Sequence, residues 1–263
     1  MIIQDNHSGG SGRNCYQRQF SGPVHLSWYG VQDASNCVTD FSTCAAADTA
    51  VANAFIAAAP SAGYGGDGGV MTDGLSVVIY HGNLEIPEKQ YFSCNGPPGG
   101  MRQQSTTNQN DLDLYYRLPS SIVLNVSDSA GSAVPGTVVV DQQASLHHCI
   151  VRPTWLNQSL LFDSSGNSKI NSTHDLVQLI EHNLVGTCVK AGSGSPVQAE
   201  SVNIHDLFII GCDTGIDVGN APRGILADLN IEANVPIYNH DNGGGMKLQN
   251  ISMSCCRFRG HRV

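Results

Sequence analysis

The segment VNIHDLFIIGCDTGIDVGN, Val202 to Asn220, is followed by ILADLNIEANVPIYNHDNGGG from Ile225 and MKLQNISMSCCRFRG from Met246, and the three align at a fixed offset of 22 residues. Leu207, Leu229 and Ile251 fall in one column, and Ile209, Ile231 and Met253 in another. Strand alternation turns both columns inward. Asp206, Asp228 and Asn250 then form an outward column, as do Ile210, Glu232 and Ser254. One short alternating strand per unit, followed by Gly, Asn and Asp turns and repeated about every 20 residues, is the pattern of a solenoid. The strands are too short and the turns too frequent for crossover helices. Each unit therefore reads as one rung of a parallel β-helix, with rungs stacked at roughly 4.8 Å. A β-sandwich would join its runs by two-residue Asn-Gly or Asp-Gly loops, and none does so here.

Composition agrees with this all-β reading. Charged residues make up 13% of the 263, and 29 glycines supply tight turns. That balance argues against disorder and for one domain that grows rung by rung. A formal net charge of −9 disfavours nucleic acid, whose phosphates need clustered Lys and Arg, and leaves neutral, polyhydroxylated partners open. Nine cysteines, with no CxxC and no zinc-like spacing, are expected to be mostly free thiols. Cys212, Asn234 and Cys256 are expected to stack in one column as small buried side chains. The start has no apolar h-region and no later stretch reaches 18 apolar residues, so neither a signal peptide nor a membrane partner is expected, and folding in a reducing cytoplasm is. His147 and His148 precede a strand, so alternation should send their rings to opposite faces. They could not then share a metal, and neither metal nor cofactor is expected.

Along the chain, residues 1–22 are polar and Gly/Ser-rich and read as an extended N-terminal arm for attachment. Residues 23–117 hold a helix and the first strands. Residues 118–263 hold the rungs, with an insertion at 156–175 and a short helix at 175–181. The run DFSTCAAADTAVANAFIAAAP from Asp40 places Ala47, Val51, Ala54, Phe55 and Ala58 on one helical face. Asp40, Ser42 or Thr43 can cap its start, and Pro60 with Gly63 ends it. Such a helix can cover the open first rung of a solenoid. Strands are expected at 76–80, 84–86, 122–124, 138–140 and 149–151.

The order of Trp28 to Gly30, Thr39 and Asp40, an Ala-rich helix, and a strand-turn-strand through His81 to Leu84 resembles the opening module of the pectate-lyase-like β-helix superfamily. The chain departs from it by lacking a Pro before Gly82. The resemblance implies a right-handed parallel β-helix with an N-terminal capping α-helix. It further implies either a polysaccharide lyase or hydrolase, or a spike of a phage or phage-like virion. In the spike reading the protein is a homotrimer. It binds bacterial surface polysaccharide and meets other virion proteins through residues 1–22 and the C-terminal end. The segment CDTGIDV, Cys212 to Val218, lacks the residue order of polygalacturonases, so that activity does not carry over.

Asp206 and Asp228, one rung apart and outward, are candidates for the two carboxyl groups that glycoside hydrolysis requires. Glu232 lies four residues beyond Asp228, about 13 Å along an extended strand. These three are the catalytic candidates. His205, Arg223, His240 and Lys247 are the candidate polysaccharide-binding residues.

Overall fold

The computed structural model describes residues 2–4, 15–17, 22–32, 47–59, 66–72, 75, 77–81, 83–94, 121–125, 136–153, 184, 186–192, 201–218, 223–239 and 245–254. Strands dominate, with one short α-helix. Strands β1 (Ile2–Gln4) and β2 (Cys15–Gln17) pair antiparallel, so the expected arm contains a small ladder rather than extended chain alone. Then come β3 (Gly22–His25), a 3-10 turn at Leu26–Tyr29 and helix α1 (Asp48–Ala58). The strands β4 (Gly66–Met71), β5 (Val77–His81) and β6 (Leu84–Ile86) form a first pass. A second pass is β7 (Tyr91–Ser93), β8 (Ser121–Asn125) and β9 (Val138–Val140). A third is β10 (Ser145–His147), β11 (Ile150–Pro153) and β12 (Thr187–Ala191). The long strands β13 (Val202–Asp217), β14 (Arg223–Tyr238) and β15 (Gly245–Ser254) complete the sheet.

Every pairing from β3 to β15 is parallel. The single strand β13 pairs in succession with β10, β11 and β12. A continuous strand can do this only if the sheet curls, so the chain returns to three strand columns in successive passes. In the first column Val24, Val70, Phe92, Leu146, Ile204 and Leu226 lie in register, each fully buried. In the second, Val151, Ile209 and Ile231 do the same. The core is the stack of these inward side chains, which is why alternation exposes it in the sequence.

The 22-residue register is present as read. Leu207 pairs with Leu229 and Leu229 with Ile251, and Ile209 pairs with Ile231 and Ile231 with Met253. Past Ile210 the offset drops to 21, because Gly211 takes φ 90° and bulges out of the ladder. Cys212 consequently stacks on Ala233, not on Asn234 as the constant offset predicts. Asn234 instead donates its side-chain N–H to the Asp213 carboxylate at 2.9 Å. Cys256 lies outside the described residues.

Helix α1 buries Ala47, Val51, Ala54, Phe55 and Ala58 as its spacing predicts. Phe55 packs on Phe92 with ring centroids 6.1 Å apart, and Gln90 donates to the Phe55 carbonyl oxygen. The helix starts later than expected, at Asp48, with Ala47 at its N-cap and no side-chain cap. Asp40, Ser42 and Thr43 lie outside the described residues, as do the insertion at 156–175 and the helix expected at 175–181. Ala59 turns extended (ψ 128°) because Pro60 excludes the helical conformation from the residue before it.

Disulfides join Cys94 to Cys149 and Cys188 to Cys212, with Cα separations of 4.9 and 5.6 Å. The expectation of mostly free thiols fails for these four. The spacing of adjacent rungs, about 4.8 Å, is already a disulfide-compatible Cα distance. Cysteines that face inward one pass apart are therefore placed to bond.

Candidate functional site

The outward column is not a flat strand face. Asp206, Asp228 and Asn250 have φ values of 53°, 54° and 49°, and His148, one pass earlier, has 57°. Asp and Asn enter this left-handed region more readily than most residues. Each marks the corner where the chain leaves the first strand column for the second. Asn250 donates to the Asp228 carboxylate at 2.7 Å across one rung, and Asp206 lies 2.7 Å from Nδ1 of His205. Asp206 is half-buried and Asp228 exposed.

The corner also corrects the reading of His147 and His148. Alternation breaks at His148, so both rings lie on the outer side, with centroids 5.0 Å apart. His147 stacks on His205 at 4.9 Å and 10°, and on Tyr91 at 5.5 Å and 28°. His148 meets His205 edge-on at 5.9 Å, and its Nδ1 is 4.0 Å from the Asp206 carboxylate. Above them the Tyr91 ring lies over Gly69, where any side chain would collide with it, and its hydroxyl donates to Asp67 at 3.0 Å. Burial and the Asp67 carboxylate push the Tyr91 hydroxyl up to about 12. Among the described residues no group of three or more His, Cys, Asp or Glu is placed to hold a metal ion.

The remaining candidates fall around this ladder. Glu232 follows the bend at Asp228, so it belongs to the second column, beside Ile210 and Ser254, and not to the face that carries His205. Burial pushes its carboxyl above the usual range. Arg223 and Lys247 are exposed on the first column, where Lys247 pairs with Ile225 and Ile225 with Asn203. His240 lies outside the described residues. Sequence reasoning missed Tyr91, His147 and His148 as neighbours of His205. The pair at 147–148 was visible, but its connection to His205 spans 58 positions and follows no repeat.

Burial chiefly, with the neighbouring imidazoles of His205 and His148 adding to it, pushes His147 down to about 4, against a partial upward pull from Asp206. Its Nδ1 is buried without a hydrogen-bond partner. The unfolded chain takes up this proton near pH 6.5, and the folded one only near 4. Between those values the unfolded state binds more protons, so stability falls as pH drops from about 6.5 to 4. The contribution is fully present above that window and lost below it. With allowance for the ring's partial exposure we expect about 1–2 kcal/mol from this source. His147→Phe, which keeps a stacked ring, should flatten that part of the curve of unfolding free energy against pH. An unchanged curve would show that the ring is solvated.

No family model matches the chain, and neither does any curated protein. A crystal structure of a provisionally assigned glycosyl hydrolase from Parabacteroides merdae matches 89% of this chain and 98% of its own, at 9% identity and a TM-score of 0.46. A likeness at that level bears on neither activity nor substrate.

Proposed function

We propose that the chain binds an extended polysaccharide along the outer corner formed by Tyr91, His147, His205, Asp206, Asp228 and Asn250. The observation that carries this reading is the shape and chemistry of that strip. It crosses five successive passes of the sheet, about 19 Å at the rung spacing, so it suits a polymer better than a compact ligand. It offers ring edges, carboxylates and an amide, which accept and donate hydrogen bonds to hydroxyl groups. The whole chain's formal net charge of −9 disfavours a polyanion. The finer architecture proposed with it is a right-handed parallel β-helix with α1 covering the first rung. Its support is the curled parallel sheet and the contacts of α1 with β3 and β4 at the open end of the first column.

The role as a homotrimeric virion spike on bacterial surface polysaccharide is part of the same proposal. Residues 1–22 and the C-terminal end are the proposed contacts with other virion proteins. This part is supported by the sequence resemblance at Trp28 to Gly30 and His81 to Leu84. A virion works outside the cell, where disulfides such as Cys94–Cys149 persist. Light scattering at micromolar concentration should give three times the chain mass, and a mass of one chain would remove the trimer.

A second reading, a glycosidase or lyase, is favoured by one observation. Burial raises the Glu232 carboxyl, as a general acid requires. Asp206 and Asp228 would then be the partner carboxylates. Incubation with capsular and pectic polysaccharides, read by new reducing ends and unsaturated uronate absorbance, separates binding from cleavage. On the binding reading the polymer is retained and no products form. If cleavage occurs, Asp228→Asn should lower its rate about 100-fold or more, and an unchanged rate would exclude Asp228 from the chemistry.

A further inference from the structure

We infer that Ala227 marks a subsite for one neutral pyranose ring, held beneath the imidazole of His205; this rests on the polysaccharide reading above and assigns the place where a sugar sits. The outward ladder of planar rings runs from Tyr91 to His147 to His205 at centroid spacings of 5.5 and 4.9 Å. The residue paired with His205 on the next rung is Ala227, and the one after that is Gln249. The ladder thus loses its ring at Ala227 while the rungs continue. Ala227 faces outward, since Leu226 beside it points into the core and Ala227 itself is not part of the interior cluster, but at 9% exposure its methyl is covered, so a sugar reaches it only when the neighbouring Gln249 side chain moves away.

The lower face of His205 therefore has a methyl group below it where the faces above have rings. From His205 to Gln249 is two rungs, about 9.6 Å, which is room for one ring at the spacing the ladder already uses. Gln249 is exposed, and its long side chain can swing aside. The flanks of the slot have the two characters of a sugar. On the strand side stands Ile225, 40% exposed, two residues before Ala227. On the corner side stand the Asp206 and Asp228 carboxylates and the Asn250 amide, which suit hydroxyl groups. A pyranose presents an apolar C–H face to rings and aliphatic groups and hydroxyls at its rim. The carboxylates at the rim favour a neutral sugar over a uronate.

The test uses the methyl glycosides of glucose, galactose, mannose and N-acetylglucosamine, read by saturation transfer from the full chain to the sugar ring protons. At least one should receive saturation. In Ala227→Trp, whose indole fills the slot, the signal should be lost and affinity should fall about tenfold or more. Ala227→Ser, which leaves the slot open, should keep it. Should Ala227→Trp fail to fold by circular dichroism, His205→Ala removes the ring above the slot and should lose the same signal. No saturation from any of these sugars, or equal saturation in the Trp variant, overturns the subsite. Retention of labelled dextran and capsular polysaccharide, measured in parallel, separates the outcomes. Polymer bound equally by wild type and Ala227→Trp removes the subsite alone, and no polymer bound removes the strip reading with it.

Discussion

Leu229→Ala should lower the free energy of the first unfolding transition by about 2–5 kcal/mol, the range for deleting a buried leucine side chain from a packed interior. Leu229 is 2% exposed and stands between Leu207 above and Ile251 below. The rungs on either side are tied by backbone hydrogen bonds along β13, β14 and β15, so they cannot collapse into the space. Asp228→Ala, one residue earlier, is the contrasting case. It removes the bond from Asn250 and puts an alanine at φ 54°, which together should cost about 1 kcal/mol. Asp228→Gly should cost less still, since glycine accepts that conformation. Urea denaturation of the three variants measures the order, and an Asp228→Ala loss larger than that of Leu229→Ala would overturn the inward and outward assignment.

Opening the Cys94–Cys149 disulfide should have a comparable effect. The bond closes a loop of 55 residues. The chain-entropy treatment of such a loop gives about 4 kcal/mol, and measured losses are commonly 2–5. Both cysteines are 2% exposed, so the reduced pair would leave two small apolar thiols in place and add little cavity cost. The double variant Cys94→Ser, Cys149→Ser adds the burial of two hydroxyls, whereas Cys94→Ala, Cys149→Ala isolates the cross-link. We expect the Ala pair to unfold at lower urea than wild type, and wild type to approach it under reductant. If reductant left the wild-type midpoint unmoved, the bond would contribute nothing to stability. The Cys188–Cys212 bond, spanning 24 residues, should contribute about 3 kcal/mol by the same reasoning.

The polysaccharide strip and the core share one geometric cause. Each rung repeats the same alternation, so a residue type that suits the interior or the corner recurs directly above itself. Leu146, Ile204 and Leu226 are one such run inside, and His148, Asp206, Asp228 and Asn250 are one at the corner. A ligand lying along the corner meets repeated chemistry at the rung spacing, as a polymer of sugars would.

The last three passes were legible in the residues alone. Val202 to Ser254 carries rungs of equal length, so local periodicity and spatial register coincide, and Leu207 over Leu229 over Ile251 follows by counting. The buried face of α1 was legible for the same reason, because helical spacing is a local property. The earlier passes were not, since Phe92 lies under Leu146 and Leu146 under Ile204 at separations of 54 and 58. Connections of unequal length erase the period without disturbing the stack. Only the tertiary structure could therefore bring His147 and His148 beside His205, join Cys94 to Cys149, and shift Cys212 onto Ala233 through the bulge at Gly211. Those relations depend on which rung lies beneath which, and backbone pairing decides that across distances that side-chain pattern does not encode.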